Sequence, residues 1–448
     1  GFLRCLPPVD GSSAHASRIS APFSGAGQEV PQPPEPIALA RTMAASGKRL
    51  AGSADRLSDL PDGLLHTVMS FLTARQAVQT CVLSRRWEDL WCSMPCLNID
   101  EREFSTSAIL SDSDSDSDSD DGDEGGPNCT RLEYFVINLL MFHSAATLDV
   151  FRFHSVSERK IKFADQWLRR GIKRFPKVVD IDSKNCCCKL PRFGSSSSRL
   201  NRLHLSRISL DKTFTQQLRS GCPVLEDLEL KWCVLEDAET ASCTLKNLTI
   251  EHCTIYHPGA LTIKVPSLTC LQLVAFSRNW DAAVANEMPF LIKATICTIR
   301  LIILPWKLLF SLINVKDLKL TGFRAPANLH DGSDTFPVFH NIRTLLFDTC
   351  DLSDKFDMLG CFLNNAPGLE KLTLESCMLP EASKGSKTGG NLKKASLEYD
   401  DALTFQCPSL KLTEIKYIYD DDVQKLFDLL LGAWSNLQNT NIVINKKT

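Results

Sequence analysis

From residue 131 to the end of the chain, apolar residues fall into one recurring short pattern, L-x-x-L-x-L, with polar positions between the copies. The pattern occurs at Leu225, Leu228, Leu230; Leu245, Leu248, Ile250; Leu268, Leu271, Leu273; Ile296, Ile299, Leu301; Val315, Leu318, Leu320; Ile342, Leu345, Phe347; and Leu369, Leu372, Leu374. Weaker copies stand at Leu148, Phe151, Phe153, at Leu200, Leu203, Leu205 and at Leu392, Ala395, Leu397. The last two apolar positions of each copy alternate onto one face of a short strand, while the first turns inward just before it. No copy can bury that face alone, so the copies must stack and share a continuous core.

Successive starts lie roughly 20 to 30 residues apart, the period of leucine-rich repeats. The fold class expected is α/β, a solenoid with a curved parallel sheet on one side and helices outside it. Pro223, Pro266, Pro367 and Pro408 each precede the first apolar residue of a strand by two positions, where proline stops the preceding helix. Outer helices are predicted over 211–220, 356–365 and 421–434, with Phe356, Leu359, Leu363 and Val423, Leu426, Leu430 as their inward stripes. Cys233, Cys253, Cys350 and Cys377 each stand three residues after the last apolar position. There the repeat pattern places a small, buried Asn or Cys that fits the turn leaving the strand.

Before the repeats the periodicity changes. Leu60 and Pro61 open a helix carrying Leu64, Leu65, Val68, Met69 and Leu72, with proline near its first turn. Thr73 and Gln76 form a capping box that starts a second helix through Val78 and Val82. Ser84 is placed to cap a third, carrying Trp87, Leu90 and Trp91. Three short helices give a small core with apolar side chains to spare, the mark of a partner surface.

Composition divides the chain into four regions: 1–52, a disordered extension rich in Pro, Ser and Gly; 53–100, the helical module; 101–130, an acidic low-complexity linker; and 131–448, the repeats. Within the linker, the run from Ser111 to Gly126 offers nothing apolar to bury and reads as a solvated spacer. Ser111, Ser113 and Ser115, each with Asp three residues later, are candidates for an acidophilic kinase. Met43, followed by small and basic residues, is a candidate initiator.

Lysine and arginine number 50 against 53 acidic residues. That balance leaves no basic excess for a run of phosphates, and no nucleic-acid partner is expected. The most apolar window, Ile296 to Ile313, contains Arg300, Pro305 and Lys307 and reads as a strand followed by a core helix, so no membrane partner is expected. The first ten residues lack a secretory signal core, so the 18 cysteines are read as free thiols in a reducing compartment, cytoplasmic and/or nuclear. Cys186, Cys187 and Cys188 cannot all turn to one tetrahedral centre, and His252, Cys253 and His257 are the nearest approach to a metal cluster. Neither metal nor cofactor is expected. With no P-loop, dinucleotide fingerprint or nucleophile elbow, no catalytic residue is assigned either.

The stretch DRLSDLPDGLLHTVMSFLTARQAVQTCVLSRRWEDLW, from Asp55 to Trp91, closely resembles the plant F-box in its Leu-Pro opening, its Cys81–Ser84 segment and its Arg-Trp and Leu-Trp close. FHNIRTLLFDTC at Phe339–Cys350 and LNNAPGLEKLTLESC at Leu363–Cys377 resemble the repeats of plant F-box proteins with leucine-rich repeats. The acidic run departs from that pattern. The resemblance implies docking on the Skp-family adaptor of a cullin-RING ubiquitin ligase, with Leu60, Pro61, Leu64, Leu65, Val82, Trp87, Leu90 and Trp91 as the core or contact positions. Such a subunit catalyses nothing; it holds a protein substrate near a ubiquitin-charged partner.

Specificity then belongs to the open face of the sheet. The position after the last apolar residue projects from that face, and it holds Glu251, Asp348, Glu375 and Glu398, with Lys231 as the exception. These carboxylates suit a basic ligand segment. Two other readings stay open: an adaptor-independent repeat scaffold whose helical module is a cap, and a small-molecule receptor using Lys393 and Lys394 for an anionic ligand.

Overall fold

A parallel strand with both neighbours in register keeps every backbone polar group of its ladder paired and turns alternate side chains to one buried face. That arrangement recurs along most of the chain. The computed structural model describes residues 57–446 apart from 58, 105–126, 157–160, 162, 185–189, 195–196, 238, 257–260, 276–283, 286–287, 304–305, 325–335, 354–356, 379–406 and 418–439. Thirteen strands pair in one parallel sheet whose order follows the chain. They are β1 (Cys96–Asp100), β2 (Val150–Ser155), β3 (Val178–Ser183), β4 (Arg202–Ser206), β5 (Asp227–Lys231), β6 (Asn247–Glu251), β7 (Cys270–Ala275), β8 (Lys293–Ile303), β9 (Asp317–Arg324), β10 (Thr344–Asp348), β11 (Lys371–Glu375), β12 (Leu412–Tyr417) and β13 (Asn441–Lys446).

One buried residue from each strand lines up with the next: Leu203 beside Leu228, then Leu248, Leu271, Ala294, Leu318, Leu345, Leu372 and Thr413. Helices α4 (Ala164–Ile172), α5 (Phe214–Gly221), α6 (Trp306–Ser311) and α7 (Asp357–Asn364) lie between successive strands in the chain. The approach of α4 to β2 is so close that a Cβ on Gly171 would stand 2.5 Å from the Phe151 ring, which is why glycine occupies that turn. On α7, Phe362 packs edge-on against Phe347 at 5.4 Å between ring centroids.

The register corrects one of the expected copies and adds a strand that the pattern missed. The apolar set of β8 is Leu291, Ala294 and Ile296, all buried, whereas Leu301 is exposed. The apolar-rich stretch there contains two superposable triplets, and the small Ala294 conceals the true one. After β11 the next strand is β12, with Leu410, Thr413 and Ile415 inward. The copy at Leu392–Leu397 and the predicted helix over 421–434 lie outside the described residues, as do the N-terminal extension with Met43, the run at Ser111–Gly126 and Cys186–Cys188.

The cysteine ladder forms as expected. The thiols of Cys233, Cys253, Cys350 and Cys377 donate to the carbonyls of Leu205, Leu230, Leu320 and Phe347 on the preceding strand, at 3.3 to 3.5 Å. Burial holds Cys350 protonated, its pKa pushed up to about 11. Just before each ladder position the backbone turns left-handed at a residue other than glycine: Trp232, His252, Thr349 and Ser376, with Arg207 in the equivalent place on β4. Such a conformation costs an L-residue about 1–2 kcal/mol. Each offsets it by donating its N–H, at 2.8 or 2.9 Å, to the last or last-but-one carbonyl of the following strand.

The helical module comprises α1 (Asp62–Met69) and α2 (Ala74–Gln79), then 3-10 turns at Thr80–Val82, Arg85–Trp87 and Leu90–Ser93. The capping box at Thr73 and Gln76 is present. The third helix expected from Ser84 is instead a pair of 3-10 turns, because Trp87, Leu90 and Trp91 must all turn into one small core.

The boundaries expected around the acidic region also change. The module flows directly into β1, the first strand of the common sheet, paired with β2. Glu101–Phe104 is a packed 3-10 turn, and α3 already begins at Pro127 and runs to Phe142. The described residues on either side of the acidic run thus pack into the same first coil of the solenoid. Around this joint Ser144 N–H donates to Cys92 O at 2.7 Å, Asp149 N–H to Pro95 O at 2.7 Å, and Ser155 Oγ to the buried Glu101 carboxylate at 2.7 Å. His143, 3% exposed, bonds Met94 O through Nε2 at 3.0 Å, while Arg174 faces its Nδ1. A carbonyl only accepts and a guanidinium only donates, which fixes the neutral tautomer with the proton on Nε2. Burial first, and then Arg174, lower the His143 pKa to about 4.

Candidate functional site

Two surfaces carry the chemistry. The first is on the helical module. Helix α1 is apolar on two faces: Leu65 and Met69 are buried, whereas Leu64 (53% exposed) and Val68 stand outward, followed by Phe71 (84%). Val82 (72%) and Leu83 join them from the turn after α2, and Leu57 from the approach to α1. Asp62 and Arg86 pair at 2.5 Å across the module and tie the start of α1 to the 3-10 turn at Arg85–Trp87. An apolar set this exposed on so small a module marks a binding surface.

The residues expected at the adaptor divide cleanly. Pro61, Leu64 and Val82 are exposed, and Leu60 is half-buried against the core. Leu65, Trp87, Leu90 and Trp91 are buried and act as the module's own core, because two large indoles in so short a segment are needed to close it. Phe71 and Leu83 were not singled out from sequence. The signal for Phe71 was the second stripe at Leu64, Val68 and Phe71, offset by one from Leu65, Met69 and Leu72.

The second surface is the face of the sheet opposite the core. Glu251, Asp348 and Glu375 project there as expected; Glu398, Lys393 and Lys394 lie outside the described residues. Asp348 and Glu375 are brought together on adjacent strands, while Glu251 stands four strands away. Lysines from neighbouring positions meet them: Lys319 Nζ lies 3.1 Å from Asp348, and Lys416 Nζ 3.7 Å from Glu375. Around Glu251 the grouping differs. Lys231 Nζ sits 2.8 Å from Glu229 and 3.7 Å from Glu251, so two carboxylates share one ammonium. Toward β3 and β4, Arg207 pairs with Asp182 at 2.5 Å and Arg202 with Asp227 at 3.0 Å. Between the charged zones lies a neutral band of Thr249, Gln272, Thr295 and Thr321. Among the described residues no His, Cys, Asp or Glu group is arranged to hold a metal, and no helix is long and apolar enough to cross a membrane.

A small helical module fused to a leucine-rich-repeat solenoid is the architecture that carries these two surfaces. Comparison with known proteins agrees. Residues 57–98 match the F-box domain. The meiotic F-box protein MOF of rice (Oryza sativa subsp. japonica) is 30% identical over 405 residues, covering 81% of this chain and 80% of that protein. A putative F-box/LRR-repeat protein of Arabidopsis thaliana is 28% identical over 350 residues, 74% of this chain and 73% of that one. A probable FBD-associated F-box protein of the same plant is 27% identical over 360 residues, 71% and 78%. The chain belongs to the plant F-box proteins with leucine-rich repeats.

Proposed function

We propose that this chain is the substrate-recognition subunit of a cullin-RING ubiquitin ligase, docking on a Skp-family adaptor through its F-box and holding a protein substrate on the open face of its sheet. F-box proteins are in general substrate receptors of such ligases, with an adaptor of this type as partner. The observation that carries the reading is the outward apolar set Leu64, Val68, Phe71, Val82 and Leu83. It supports an apolar docking partner for the module, and in the free chain it leaves large side chains in water. The chain then contributes no catalysis of its own. It raises the local concentration of substrate lysines near the charged ligase. Its place of action is the cytoplasm and/or nucleus, a reading that the thiol donors of the cysteine ladder support.

The test is co-purification of a plant Skp-family adaptor with the full chain. Leu64→Glu with Val82→Glu changes only exposed positions, so it should abolish capture while the circular dichroism spectrum and thermal midpoint stay those of the wild type. Leu60→Ala with Pro61→Ala should weaken capture, with some loss of stability because Leu60 packs on the core. A folded wild-type chain that captures no adaptor would sink the ligase reading. A second reading, the module as a cap on the solenoid, is favoured by the pairing of β1 with β2. Capping and docking use opposite faces of the module, and only docking needs the exposed set.

A further inference from the structure

At the strand-exit edge of the open face, β5 and β6 build an aromatic and acidic corner. Trp232 is 50% exposed, an unusual position for the largest side chain in a chain with a core of Leu and Phe. Its exposure is enforced by the backbone. The left-handed turn at Trp232 (φ 55°) points the side chain to the rim, and its N–H is fixed on Glu251 O at 2.8 Å. His252, held in the same conformation on the next strand, packs against the indole at a 39° tilt with ring centroids 4.2 Å apart. The indole is thereby an oriented plate and not a loose side chain.

Beside it, Glu229, Glu251 and Lys231 sum to one net negative charge. Lys231 is committed mainly to Glu229, while Glu251 has longer contacts, 3.7 Å to Lys231 Nζ and 3.5 Å to His252 Nε2, which places its carboxylate at the edge of the aromatic pair. Burial lowers the His252 pKa, so at neutral pH its ring adds no competing positive charge. The neighbouring cations are already engaged, Arg207 by Asp182 and Arg202 by Asp227.

We propose that Trp232, Glu251 and Glu229 receive one cationic side chain of a protein ligand, with arginine preferred over lysine. A planar guanidinium can lie on the indole face and donate in its own plane to a carboxylate at the edge; an ammonium does only the second well. The corner rests on the proposal that the open face receives the substrate, and it narrows that ligand to a segment with a basic residue, placed at β5 and β6 and not spread along the whole face. Asp348 and Glu375, by contrast, each have their own lysine.

The experiment uses the full chain and four immobilised pentapeptide libraries that are random except for a central Arg, Lys, Gln or Glu. The wild type should be retained most on the Arg-centred library and least on the Glu-centred one. Trp232→Ala and Glu251→Gln should each cut Arg-centred retention about tenfold. Trp232→Phe should keep part of it, and Lys231→Met, which removes the internal counter-ion, should raise it several-fold. Thermal melts identify any variant that has lost its fold. Thr295→Arg, in the neutral band, reports on the open face as a whole. Wild-type binding without preference for the Arg-centred library overturns the corner. So does Arg-centred binding that folded Trp232→Ala and Glu251→Gln leave unchanged. In either case loss of binding in Thr295→Arg preserves the open face as the ligand site, while indifference to that variant too removes both proposals.

Discussion

Cys350 sets its thiol between two backbone carbonyls, those of Leu320 on the preceding strand and Asp348 on its own. Removing the donor leaves both acceptors buried with one fewer partner and opens a small void. Cys350→Ala should therefore destabilise the solenoid by about 1–2 kcal/mol in urea unfolding. His143 makes a different prediction. Above pH 6.5 its imidazole is neutral in both folded and unfolded chains. Between that value and about 4 the unfolded chain takes up a proton that the folded joint refuses, so stability falls with pH by up to about 3 kcal/mol. In His143→Gln the decline over that range should be shallower, and parallel curves for the two proteins would remove His143 as its cause. The residue types of the module were legible, since the apolar stripes predict both a core and a contact surface. Which residue serves which was not, because Leu64 and Leu65 are chemically identical and only the rotation of α1 separates them.

At the scale of the element, the legible features were those with a local cause. Thr73 and Gln76 satisfy each other's backbone donors within four residues, and that box forms as predicted. Thr73→Ala should lower stability by about 1 kcal/mol, seen as a drop in thermal midpoint. Strands with three large aliphatic residues were found at once from their spacing. Strand β3 escaped because its inward pair is Val179 and Ile181, and β12 because Thr413 occupies a core position that the pattern reserves for leucine. The left-handed rim residues escaped for another reason: Arg207, Trp232, His252, Thr349 and Ser376 share no chemistry. What they share is a hydrogen bond to the following repeat, which sequence does not display.

For the whole molecule, the division into a separate module and repeat domain gives way to one continuous core reaching from Leu65 to Ile415. Composition placed a boundary at the acidic run because charge and low complexity usually mark a linker. Here the packing on both sides of the run closes across it, with Phe104 against Phe135 at 5.1 Å and β1 on β2. A fragment ending at Phe104 would expose Met94, Leu97, Ile99 and Phe104, all buried in the intact chain. Residues 57–104 alone should then show poorly dispersed amide resonances, whereas the full chain with the run replaced by an equal length of Gly and Ser should unfold at nearly the wild-type midpoint. The shared sheet also has a geometric effect. Each strand lies about 4.8 Å beyond the last, so the sheet is a graduated scale whose zero mark is welded to the F-box. A ligand seated at β5 is held at one setting, roughly 19 Å of arc from β1. Excising a single repeat between them would shorten that reach by one graduation and bring the ligand nearer to the F-box.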